Sequence, residues 1–238
     1  MRNLVYLMIL SAQLRTIALT RGDRRSSLVL YRVLRGFLRR VVNPWVRLRA
    51  ENTDVLDLPG PTILAPVHRS NLDSALLATQ SSRRIRALGK ESLFTTPVVS
   101  YICAALGAIP VRRGEADRDA LKAAKTLLDA GESMIVFPEG GRQVGPQVSE
   151  LFDGAAWLSA RTGARVVPVG IAGTEAAMPE GAKFIHRSSV AIVPGEPLEA
   201  PTGTDGKRAN RQQLQAFTEE LAKSLQGAQD RAEALARS

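Results

Sequence analysis

From about residue 52 onward, short apolar runs alternate with stretches of helical periodicity, and this alternation restricts the fold more than any other feature. Thr62–Val67, Ile85–Gly89, Met134–Phe137, Val166–Ile171 and Val190–Val193 read as buried strands, because each is a short branched-aliphatic run between turn residues. Asp117–Ala130 reads as a helix. Its Ala120, Leu121, Ala124, Leu127 and Leu128 share one face, and Gly131 stands where a C-terminal cap is expected. Gly154–Thr162 and Asn210–Leu225 are further helix candidates. Strands separated by helices predict an α/β fold, a single domain with a largely parallel sheet flanked by helices. Its expected limits are residues 51–227, with a polar, frayed tail over 228–238.

Charge separates a second region from this body. The chain carries a net +9, yet residues 1–50 hold eleven arginines against one acid, Asp23. The excess therefore lies in an N-terminal arm, as expected for a segment that meets an anionic surface. Leu4–Leu19 is apolar but interrupted by Gln13 and Arg15, and it is shorter than the roughly 20 residues that span a bilayer. No small-x-small cleavage site stands out and another amphipathic segment follows at once, which disfavours a signal peptide. In Ser27–Val42, Leu30, Val33, Leu34, Phe37, Leu38 and Val41 recur at helical spacing, with Arg32, Arg35, Arg39 and Arg40 on or beside the opposite face. Pro44 is expected to end or kink that helix. An apolar stripe bordered by arginine predicts an amphipathic helix lying in the membrane interface. The plainer alternative is a helix packed on the body with solvated arginines, and one helix can do both. The abundance of Leu, Val and Ile argues against a nucleic-acid arm. One cysteine, Cys103, and two histidines exclude a disulfide framework and disfavour a histidine- or cysteine-rich metal centre.

Three segments carry candidate chemistry. In Val67-His-Arg-Ser-Asn-Leu-Asp73, a histidine follows a strand and an aspartate comes five residues later, at the start of a helix. The two side chains meet only if the chain turns between them. Asp73 would then fix the tautomer of His68, leaving the imidazole to take a proton from a hydroxyl. The same residues also fit a capping box running from Ser70 to Asp73, so catalysis and capping both stay open here. Phe137-Pro-Glu-Gly-Gly-Arg142 follows an apolar run. Its Gly140 and Gly141 permit close approach of a ligand to the backbone, and Arg142 can grip a phosphate. Glu139 can hold an arginine or a substrate hydroxyl, and a plain Pro-x-Gly-Gly turn is the alternative for the segment. Gly107-Ala-Ile-Pro-Val-Arg-Arg-Gly114 reads as a short strand ending in two arginines, which are either solvated or face a phosphate.

HRSNLD, GAIPVRR, FPEGGR and Val167-Pro-Val169 stand in the order and approximate spacing of the four motif blocks of glycerolipid acyltransferases. Over roughly residues 60–175 the chain resembles the 1-acylglycerol-3-phosphate acyltransferase family. The resemblance implies His68 as general base with Asp73 as its partner, and Arg113 as a contact for the acceptor phosphate. It implies that Glu139, Gly140 and Arg142 shape the acceptor site, with Val167-Pro-Val169 as a strand behind it. It also carries Lys90, in GKESLF, as a phosphate contact. Departures from the family pattern fall at Val67, Pro110, Gly141, Glu150 and Asp153, where the acceptor is read.

The activity so implied is acyl transfer from a thioester of coenzyme A or acyl carrier protein to the free hydroxyl of a lysophospholipid. With 1-acylglycerol-3-phosphate the product is phosphatidic acid. Another lysolipid or a glycolipid acceptor is the nearest rival, and a serine-type lipid hydrolase using Ser70 is the next. No cofactor and no metal are expected, and no nucleic acid. The expected partners are the two substrates, a membrane surface contacted through residues 1–50, and acyl carrier protein as a possible donor protein. The expected location is the cytoplasmic face of the cell membrane.

Overall fold

The structure, a computed structural model, describes residues 24–90, 99–100, 102–103, 106–111, 118–203 and 209–238. Seven strands form one sheet: β1 (Arg49–Ala50), β2 (Thr62–Pro66), β3 (Ile85–Lys90), β4 (Ala108–Val111), β5 (Ser133–Ile135), β6 (Arg165–Ala172) and β7 (Ala191–Pro194). Their order is β1-β7-β6-β2-β5-β3-β4. Among the described strands only the β6–β7 pairing is antiparallel, so the sheet is largely parallel, as the sequence predicts. Among the described residues, five longer helices accompany it: α1 (Arg25–Phe37), α2 (Asp73–Gln80), α3 (Arg118–Asp129), α4 (Gly154–Thr162) and α5 (Arg211–Arg237).

All five residues of β2 are buried, because helices cover both faces of the sheet and neighbouring side chains point to opposite sides. Ile63, Ala65, Met134 and Val166 face α3, α4 and α5, meeting Ala124, Leu128, Leu158 and Leu221. Leu64, Ile135 and Val167 face the other way, onto Leu76 and Leu77 of α2 and onto Val42 and Val46. Each fully buried Leu or Ile stabilises the fold by about 1.5–3 kcal/mol.

The C-terminal helix departs from expectation. It runs through Arg237, so residues 228–238 are not a frayed tail. Ala228, Gln229 and Ala232 are buried, and the amide oxygen of Gln229 accepts the Ile171 N–H at 2.9 Å. A Cβ at Gly170 of β6 would stand 2.1 Å from the Ala228 carbonyl oxygen, so α5 lies against bare backbone there. Alanine and glutamine gave no apolar signal in sequence, yet small size and one amide suffice for this contact. At the other end of α5, Asn210 and Gln213 form the reciprocal capping box.

Helix α1 is fixed on the body. Tyr31 Oη accepts the N–H of Ile85, Asn43 donates to Thr79, and Arg35 donates to the carbonyls of Ser81, Ser82 and Arg83. The apolar stripe divides as a result. Leu30, Leu34 and Leu38 are half-buried, while Val29, Val33, Phe37, Val41 and Trp45 are 50–64 % exposed. The helix ends one residue beyond Pro44, as the sequence predicts. Leu38–Val42 form a π turn, in which Asn43 N–H reaches the Leu38 carbonyl, and Pro44 lies in a last helical turn. No helix among the described residues is long and apolar enough to cross a membrane. The first apolar segment, Leu4–Leu19, lies outside the described residues.

Candidate active site

Strands β6, β2 and β5 are adjacent and parallel, so the loops at their C-terminal ends open on one side of the sheet. Ligand crevices of open α/β sheets form at such ends. His68 is two residues beyond β2, and the Val67 N–H still bonds to Val169 of β6. The chain then turns into α2, whose first residue is Asp73.

That turn brings the two side chains together. His68 Nδ1 lies 2.9 Å from Asp73 Oδ2, and both residues are buried. The same oxygen accepts the backbone N–H groups of Arg69 and Ser70, at 2.6 and 2.8 Å. A carboxylate only accepts, so Nδ1 carries the proton of this bond, and in the neutral imidazole Nε2 then holds the lone pair. Orienting the imidazole and capping the turn are therefore not alternatives here, because one carboxylate oxygen does both. The capping box is formed only in half. Asp73 accepts the Ser70 N–H, but its own N–H goes to the Ser70 carbonyl, and the Ser70 hydroxyl, which donates to the Met178 carbonyl, accepts only a long bond from the Leu72 N–H. That hydroxyl is thereby turned to the loop after β6.

Glu139, from the loop after β5, supports the histidine from behind. Its Oε2 accepts the His68 N–H at 2.9 Å and pairs with Arg69 Nη1 at 2.7 Å; its Oε1 accepts the Ser149 N–H at 3.0 Å. Of the two roles open in sequence, the carboxylate takes the arginine, and both oxygens are engaged by protein donors. Arg69 continues the clamp, donating to the carbonyls of Gly145 and Gln147. The Phe137 ring stacks on the imidazole, with centroids 3.9 Å apart and 23° between planes. Arg69 and Phe137 were missed as site residues. Both stand inside the quoted motifs, but a buried arginine reads like a solvated one and a site phenylalanine like a core one.

Gly140 has φ +68°, and the Phe152 ring fills the space its Cβ would need, 2.6 Å away. A positive φ and a packed ring both require glycine here. Gln143 donates its N–H to the His68 carbonyl at 2.8 Å, which sets its neighbour Arg142 beside the same turn. Arg142 pairs with Glu180 at 2.5 Å; the arginine side chain is 29 % exposed and the glutamate 84 %. The structure thus gathers His68, Asp73, Glu139, Gly140 and Arg142 at one mouth. Lys90 is the last residue of β3, paired with Val111, and its side chain lies outside the described residues, as does Arg113. Among the described residues no cluster of His, Cys, Asp or Glu suits a metal ion. Cys103 is half-buried, and burial raises its thiol pKa.

The sequence family described as acyltransferase matches residues 47–172, more than half of the chain. The chain belongs to that acyltransferase family. The matched region holds β1 through β6 and every residue of the His68 mouth except Glu180 and Met178. A chloroplastic 1-acyl-sn-glycerol-3-phosphate acyltransferase of Arabidopsis thaliana is 26 % identical over 66 % of this chain and 45 % of its own length. Its counterpart in Brassica napus is 28 % identical over 58 % of this chain and 41 % of its own. The chain thus spans less than half the length of these curated relatives. The crystal structure of a 1-acyl-sn-glycerophosphate acyltransferase from Thermotoga maritima superposes with a TM-score of 0.69, at 22 % identity and 97 % coverage of both chains. That likeness establishes the shared fold.

Proposed function

We propose that this acyltransferase moves an acyl chain from a thioester, acyl-CoA or acyl-ACP, to the free hydroxyl of 1-acylglycerol-3-phosphate, giving phosphatidic acid. The observation that carries the reading is the buried His68–Asp73 hydrogen bond in the turn between β2 and α2. The names of the relatives support the acceptor.

The lone pair on His68 Nε2 takes the hydroxyl proton as the oxygen attacks the thioester carbonyl. Asp73 stabilises the imidazolium that forms. The tetrahedral intermediate collapses with cleavage of the C–S bond, and the departing thiolate takes its proton back from the imidazolium. Buried Glu139 fixes the His68 backbone and the Phe137 ring stacks on the imidazole, which reduces the reorganisation needed at the moment of reaction. Arg142 receives the acceptor phosphate, with Arg113 and Lys90 as further phosphate contacts. No enzyme nucleophile is used. Ser70 is occupied by Met178, and the raised pKa of Cys103 disfavours its thiolate.

The exposed Val29–Trp45 stripe supports a peripheral or monotopic seat on the cytoplasmic face of the cell membrane, from which a lipid acceptor passes directly to the site.

The test is thioester consumption over a panel of lyso-acceptors, wild type beside His68→Ala, with products identified by mass spectrometry. Loss of the general base is expected to lower kcat by roughly 10²–10⁴ with the fold intact. A folded His68→Ala of equal activity would remove the histidine from the mechanism. Preference for another lysolipid would move the acceptor and leave the chemistry.

A further inference from the structure

The membrane reading treats the arginines of α1 as a diffuse charge, yet the structure gives them a shape. Arg32, Arg35, Gly36, Arg39 and Arg40 line a groove of about 380 Å³. Arg35 is committed to the carbonyls of Ser81, Ser82 and Arg83. Arg32, Arg39 and Arg40 pair with no carboxylate among the described residues. Among the described residues, the groove is therefore lined by guanidinium groups with no acid to neutralise them.

Gly36 is the second observation. Glycine is among the poorest formers of a helix interior, and Gly36 stands inside the continuous helical run from Arg25 to Trp45, just ahead of the π turn, so its place there has to serve something else. A Cβ there would stand 3.2 Å from Arg40 Nη1, so the Arg40 head lies across the bare backbone. The π turn over Leu38–Val42 includes Arg39 and Arg40, and such turns recur at functional sites. Missing side chain and altered turn together make one concave, cationic site beside the exposed Val29–Trp45 stripe.

We infer that this groove binds a phosphate group, taken from an anionic lipid at the edge of the apolar stripe. Guanidinium groups match phosphate oxygens in bidentate geometry. The inference deepens the membrane reading and separates a defined site from general attraction.

The experiment compares the full chain with Gly36→Leu and Arg39→Gln on phosphatidylcholine vesicles with and without phosphatidylglycerol, by sedimentation. Gly36→Leu fills the groove, keeps the net charge and favours the helix. It is expected to weaken binding to phosphatidylglycerol vesicles about fivefold, as much as removing one nearby cation, with little change on phosphatidylcholine alone. Gly36→Leu binding like wild type while Arg39→Gln weakens would show diffuse attraction and overturn the site. A parallel arm exchanges chloride for inorganic phosphate at constant ionic strength. Release of wild type but not of Gly36→Leu shows that free phosphate also enters. No release, with the Gly36→Leu loss intact, assigns the groove to the lipid headgroup. If wild type binds no vesicle, the membrane reading falls by itself. The groove is then judged by whether phosphate raises the Tm of wild type and not of Gly36→Leu, and equal shifts overturn it.

Discussion

Glu139 Oε2 accepts the backbone N–H of His68 and also pairs with the buried guanidinium of Arg69, at 2.9 and 2.7 Å. One carboxylate thus joins the loops after β5 and β2. Glu139→Gln leaves Arg69 as a buried charge without its counter-ion, which costs about 3–5 kcal/mol. Denaturant titration should show that loss. In any fraction that folds, kcat should fall with the acceptor KM little changed, because the carboxylate supports the histidine and is occupied by protein donors. A selective rise in acceptor KM would instead make Glu139 a substrate contact.

Phe137→Leu removes the ring stacked on His68 while keeping an apolar side chain. An aromatic pair contributes about 0.5–1.5 kcal/mol beyond its area. The expected result is a several-fold lower kcat with circular dichroism unchanged. Activity equal to wild type would mean that Asp73 and the backbone alone hold the imidazole.

Arg142 meets Glu180 across the mouth, and the glutamate is largely exposed. Such a pair is worth roughly 0–1 kcal/mol, little enough for a phosphate to displace. Arg142→Gln should raise KM for 1-acylglycerol-3-phosphate about tenfold or more, the loss of a charge-assisted hydrogen bond. Glu180→Gln should lower the same KM modestly. Steady-state kinetics with the donor saturating measures both, and an unchanged KM in Arg142→Gln would remove that arginine from phosphate binding.

Gly170→Val tests the packing of α5. The new side chain would start 2.1 Å from the Ala228 carbonyl oxygen, and backbone on both sides leaves no rotamer escape. A loss of about 3 kcal/mol is expected, at the upper end of overpacking costs. Deleting residues 228–238 should also destabilise, since it removes Gln229 from Ile171 and uncovers β6. A truncated chain with an unchanged urea midpoint would restore the frayed-tail expectation.

What the sequence determined by itself was periodic or local. The apolar runs placed β2, β3, β5, β6 and β7 within a few residues, and Gly154–Thr162 matched α4. The spacing of His68 and Asp73 set the condition for their contact, a turn between them, and the motif order supplied the expectation that they pair. The N-terminal charge and the stripe on α1 were equally legible. Tertiary structure decided what depends on partners distant in the chain. Strand β1 has two residues and exists only by pairing with β7. Helix α5 continues past Leu225 because β6 offers the bare backbone of Gly170. Glu139 holds Arg69, 70 residues away, because parallel strands bring their loops to one edge. Pattern reports which face of an element is apolar. It does not report which buried polar group meets which, since that match is made only once the sheet order is set.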